Sequence, residues 1–74
     1  LAAHQGRAAR RTGDQFSEAS ILLELGNQAA MDEEYTLAEE RYRACLALFE
    51  GIHHKVQQAI VLANLGELAA RRND

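Results

Sequence analysis

The chain matches itself when displaced by 40 residues. In that register Ala19, Leu22, Leu25, Gly26, Ala29 and Ala30 fall on Ala59, Leu62, Leu65, Gly66, Ala69 and Ala70, six identities in the 19 pairs from Phe16–Val56 to Glu34–Asp74. Phe16 on Val56 and Ile21 on Val61 add two apolar pairs. Alanine and leucine supply 14 and 10 of the 74 residues, but abundance alone does not place two glycines in one register. A period of this size marks stacked supersecondary units, each unable to bury its apolar face alone. At 74 residues the chain is shorter than two periods, so it is expected to be a cut through an array. Its start at Leu1 instead of methionine fits an excised piece of something longer. The register divides it into residues 1–14, the second helix of a preceding unit with its loop; 15–54, one complete unit; and 55–74, the first helix of the next.

The units are expected to be helical. Alanine and leucine are strong helix formers, and proline, the strongest breaker, is absent. Tyr35, Ala38, Tyr42, Cys45 and Phe49 recur at steps of three and four, which is one apolar helix face. A helix is predicted over Phe16–Met31, with Ile21, Leu22, Leu25 and Ala29 on its densest face. Another is predicted over Val56–Arg72, with Ala59, Leu62, Leu65 and Ala69. Residues 1–12 are predicted to form a shorter helix closed by Thr12-Gly13-Asp14, since glycine suits the left-handed residue past a helix end and Asp14 or Ser17 can cap the next helix. The fold class is all-α.

Composition narrows the function. The single cysteine, Cys45, cannot close an internal disulfide, which fits a reducing, cytoplasmic setting. No apolar run approaches the roughly 20 residues of a membrane span, and no signal segment opens the chain. Arg7, Arg10 and Arg11 give residues 1–13 a charge of +3, whereas nine acids against Arg41 and Arg43 give residues 14–50 a charge of −7. Phosphate neutralisation dominates nucleic-acid binding, so an acidic centre argues against it. The three arginines are expected to complement a helix C-terminus.

Residues able to carry chemistry have simpler structural readings. Cys45 lies on the apolar face with Ala38, Tyr42 and Phe49, and is expected to be packed and inert. His53 and His54 point apart when adjacent and make a poor chelate, so an exposed loop pair is expected and no metal site. Asp32, Glu33 and Glu34 precede Tyr35 and are expected to cap its helix. Glu39, Glu40 and Arg43 are expected as solvated helix-surface charges. No glycine pattern cradles a phosphate, so no cofactor and no enzymatic site are expected.

Leu22, Leu25-Gly26, Ala29, Ala38, Tyr42 and Cys45, with Leu62, Leu65-Gly66 and Ala69 again, resemble the tetratricopeptide repeat. The likeness covers about residues 16–74. The early tryptophan and the closing proline of the family pattern are absent, and the spacing is 40 instead of about 34. Such long repeats resemble those of bacterial multidomain transcription and signalling regulators. The resemblance implies a right-handed α-α superhelix of antiparallel helix pairs, in which the small residues around Gly26 admit a closely packed neighbour. A leucine at Gly26 is expected to be among the most damaging substitutions.

The resemblance further implies a concave groove lined by the first helix of each unit. Ser20, Leu23, Glu24, Asn27 and Met31 fall on it in one unit, and Ile60, Ala63, Asn64, Glu67 and Arg71 in the next. Asn64, just before Leu65-Gly66, is expected to hydrogen-bond a bound peptide backbone, because an amide both donates and accepts. The implied function is protein or peptide recognition inside a larger regulatory protein. The alternative is a structural arm that self-associates through its open helical ends.

Overall fold

The computed structural model describes residues 2–73, with side chains from residue 13 onward. They form three helices, α1 (Ala2–Met31), α2 (Tyr35–Gly51) and α3 (Lys55–Arg72). The bounds predicted at Met31, Tyr35, Phe49, Val56 and Arg72 are met to within two residues.

The start of α1 differs from expectation. No loop separates residues 1–12 from the rest, because α1 runs without a break through Thr12, Gly13 and Asp14. No described glycine has a positive φ, so Gly13 is helical and not a left-handed terminator. A helical glycine costs about 1 kcal/mol relative to alanine, but the alanine- and arginine-rich residues before Gly13 favour continuation. Nothing lies within 4 Å of a Cβ placed at Gly13, so no packed neighbour holds a turn there. Asp14 and Ser17 accordingly cap no helix. Arg7, Arg10 and Arg11 belong to the body of α1 and not to a C-terminus, and their side chains lie outside those described.

Both turns share one construction. After α1 the Glu34 amide donates to the Ala29 carbonyl (2.9 Å) and the Glu33 amide to the Ala30 carbonyl (3.1 Å), with Glu33 at φ 62°. After α2 the His54 amide donates to Phe49 (2.9 Å) and the His53 amide to Glu50 (3.0 Å), with His53 at φ 58°. This is the paired closure that satisfies the last carbonyls of a helix, usually with glycine in the left-handed place. Three-residue turns of this kind reverse the chain, so α1 and α3 flank α2 and both run antiparallel to it. The acidic run therefore forms a turn and is not a side-chain cap: Glu34, at the N-cap of α2, makes no capping hydrogen bond.

The core is built on α2. Ala38, Tyr42, Cys45 and Phe49 are all buried, as their spacing predicts, against Ala19, Ala29 and Ala30 of α1 and Val61 and Leu68 of α3. Gly26 is buried at the closest approach. A Cβ there would stand 2.7 Å from Cδ1 and Cε1 of Tyr42 and 3.3 Å from Cβ of Arg41. Leu22 is half-buried, Leu25 partly exposed and Ile21 57% exposed, so the α1 face against α2 is centred on Ala19, Gly26 and Ala29 and not on Ile21.

The buried face of α3 is also not the predicted one. Val61 and Leu68 are buried and Leu65 half-buried, whereas Ala59, Leu62, Gly66 and Ala69 are exposed. α3 meets α2 with the side of its helix turned away from the repeated small-residue face. Described ion pairs are peripheral: Arg43 Nε donates to Glu39 Oε2 at 2.8 Å, and Arg72 joins the same carboxylate from α3. Their contribution is small at such exposure.

Candidate functional site

Because α1 and α3 flank α2 in the same direction, equivalent stretches of both helices border one depression above α2. A cavity of about 210 Å³ lies there. Asn27, Ala30 and Met31 line it from α1; Asn64, Glu67, Leu68 and Arg71 line it from α3; Tyr42 forms the floor. Steps of three and four place each set on one helix face.

Five of the ten residues expected in a partner-binding groove meet here: Asn27, Met31, Asn64, Glu67 and Arg71. Ser20, Leu23, Glu24, Ile60 and Ala63 do not line the cavity. Ser20 and Leu23 are half-buried, and Glu24, Ile60 and Ala63 are exposed.

The floor residue belongs to the apolar face predicted for α2 and was not among the expected groove residues. Tyr42 is 3% exposed, and its hydroxyl donates to Asn27 Oδ1 at 2.6 Å. That bond uses the amide oxygen and leaves the Asn27 NH₂ as a donor at the cavity. Burial raises the Tyr42 hydroxyl above the ordinary tyrosine range, the Glu67 carboxylate adds to this, and the Arg71 guanidinium opposes it. Tyr42 therefore stays a neutral donor at physiological pH. No buried side-chain nitrogen or oxygen lacks a partner among the described residues.

A larger hollow of about 620 Å³ adjoins the α1–α2 turn, with Glu33, Glu34, Glu40 and Arg72 in its lining. Arg72 there already donates to Glu39 and Thr36, and Tyr35, Thr36 and Leu37 complete the lining.

The remaining chemical candidates are structural. Cys45 is a buried free thiol whose pKa is raised by burial, which disfavours the reactive thiolate. His53 is exposed in the left-handed turn position. His54 departs from the expected exposed pair. Its Nδ1 accepts from the Gln57 amide at 3.3 Å, capping α3, and its ring packs against Phe16 and Phe49 at centroid distances of 5.3 and 5.8 Å. Phe16 and Phe49 themselves meet edge to face at 5.6 Å. The Phe49 and His54 rings, from the end of α2 and the start of α3, thus pin this end of the molecule to Phe16 of α1. Among the described residues no three His, Cys, Asp or Glu side chains are grouped to hold a metal ion. None of the described helices is long and apolar enough to cross a membrane.

No family model, curated protein or solved structure matches the chain.

Proposed function

We propose that this chain is a protein-recognition module of the tetratricopeptide type, in which the groove between α1 and α3 takes an extended peptide from a partner. Its setting in this reading is the cytoplasm, as one segment of a larger regulatory protein with a superhelical repeat array. The observation that carries the reading is the convergence of Asn27, Asn64, Glu67 and Arg71 over the Tyr42 floor. Two amides, one carboxylate and one guanidinium provide both donors and acceptors, which suits a peptide backbone better than an ion of one sign.

Size points the same way. A cavity of about 210 Å³ is smaller than the roughly 300–1,000 Å³ of small-molecule sites, and suits one anchoring side chain. Met31, 78% exposed, and Leu68 give the site an apolar lining. Glu67 together with Glu24 farther along α1 favours a basic residue near that anchor and opposes an acidic peptide.

The test is selection of a phage-displayed random peptide library on the immobilised protein. Saturable binders are expected that lose about tenfold in affinity, or about 1.4 kcal/mol, with Asn64→Ala. The melting temperature should move little, because Asn64 has no described hydrogen bond to lose. Binders that hold equally well to Asn64→Ala and to Arg71→Ala would remove the groove as the site.

A further inference from the structure

Two opposite charges border the cavity without neutralising each other. Glu67 and Arg71 stand at i and i+4 on α3, in the order that favours an ion pair along a helix. Among the described residues that pair is not made: the ion pairs join Glu39 to Arg43 and to Arg72. Both side chains line the cavity instead. Both also act on the Tyr42 hydroxyl at its floor, the carboxylate raising its pKa and the guanidinium lowering it, so the two charges reach one point from different sides. We infer that this cavity binds a free α-amino acid with a short apolar side chain, a small ligand that competes with the peptide.

An α-amino acid carries its ammonium and carboxylate on the same carbon, and so offers a partner to each of the two charges. Glu67 receives the ammonium, with the Asn64 amide oxygen as a second acceptor. Arg71 receives the carboxylate in a charge-assisted hydrogen bond. From the α1 wall the Asn27 NH₂ donates to the same carboxylate, because the Tyr42 hydroxyl already occupies the Asn27 amide oxygen at 2.6 Å. A ligand of one sign would satisfy one of the two charges and be repelled by the other. Ala30, Met31 and Leu68 supply an apolar lining for the side chain. About 210 Å³ corresponds to about seven water volumes of ~30 Å³ each, the scale of valine or leucine. Such a ligand is smaller than the drug-sized molecules that need about 300 Å³ or more.

This inference rests on the reading of the groove as the ligand site and adds a regulator to it. An amino acid seated on Asn27, Glu67 and Arg71 occupies groups that the peptide needs, so the two ligands exclude each other. Glu67 and Arg71 are exposed, and exposed charges each contribute little, so the expected dissociation constant is about 1 mM.

The experiment titrates the ¹⁵N-labelled protein with L-leucine and follows amide chemical shifts. Saturable shifts are expected at Asn27, Asn64 and Glu67. N-acetyl-L-leucine, which lacks the ammonium, and L-leucinamide, which lacks the carboxylate, should each bind at least tenfold more weakly. Glu67→Gln and Arg71→Gln should each weaken L-leucine to a similar extent while leaving the melting temperature unchanged, since neither residue has an ion pair to lose among the described residues. The crossed combinations identify the partners: Glu67→Gln should not weaken N-acetyl-L-leucine further, nor Arg71→Gln L-leucinamide. No saturable shift up to about 10 mM, or equal binding of L-leucine and both blocked analogues, overturns the inference. Selected peptides that bind the groove but are not displaced by L-leucine overturn it and leave the peptide reading standing. L-leucine binding with no peptide selected supports the inference and removes the peptide instead.

Discussion

Tyr42 joins the packing of this protein to the proposed groove. Its ring lies on Gly26 and its hydroxyl fixes Asn27, so one residue sets both the α1–α2 spacing and the orientation of a groove amide. Tyr42→Phe keeps the ring and removes only the hydrogen bond; thermal denaturation should register a loss of about 0.5–1.5 kcal/mol. A larger loss would mean that the hydroxyl also organises the packing. Cys45 should behave as interior: maleimide labelling at neutral pH should be slow in the folded protein and fast in denaturant. Equal rates would contradict its burial. Tyr42 and Cys45 both have pKa values raised by burial, so the fold favours their protonated forms. Their contribution to stability is fully present below the ordinary cysteine value of about 8.5 and is lost as pH rises through the cysteine and then the tyrosine range. The melting temperature should accordingly fall between pH 8 and pH 11, and a flat profile would contradict the burial of both groups.

The helices were legible as elements because their apolar residues keep a step of three and four, and because α2 carries its whole buried face at that step. Their turns were legible in place but not in kind. Glu33 and His53 occupy left-handed positions that sequence pattern assigns to glycine, at a cost of about 1–2 kcal/mol each for a side chain. Glu33→Gly and His53→Gly should each raise stability by about 1 kcal/mol, measured by thermal or urea unfolding. A decrease would mean that these side chains make contacts outweighing the backbone strain. The misread element is the stretch around Thr12-Gly13-Asp14, which falls opposite Ile52-His53-His54 and has better turn chemistry than its counterpart. What separates them is tertiary support. His54 lies between Phe16 and Phe49, while no described side chain packs at Gly13. Turn chemistry without a partner to fold against loses to helix continuation. His54→Ala, which removes both the cap and the ring contacts, should therefore cost about 1–2 kcal/mol and fray the start of α3, as amide hydrogen exchange from Lys55 to Gln58 would show.

At the scale of the molecule, one packing face occurs twice and is used once. The 40-residue register revealed the two copies, Gly26 and Gly66 at their centres, but not which would be occupied. That depends on which side of α3 the α2–α3 turn presents, and identical residue types therefore end up buried in α1 and exposed in α3. The groove was legible in part for a related reason. Asn27, Met31, Asn64, Glu67 and Arg71 were implied by the resemblance and line one cavity, whereas the Tyr42 floor depends on how deeply α2 is set between α1 and α3. The most direct measurement of this account compares the melting temperatures of Gly26→Ala and Gly66→Ala. Helix propensity favours alanine by about 1 kcal/mol at both positions and cancels in the comparison. Only Gly26 faces a ring, so its variant should be less stable than the Gly66 variant by about 1–3 kcal/mol, the usual cost of overpacking. That corresponds to a difference of at least about 4 °C in a domain of this size, with Gly66→Ala at or above the parent. Equal melting temperatures for the two variants, or a lower one for Gly66→Ala, would contradict the account.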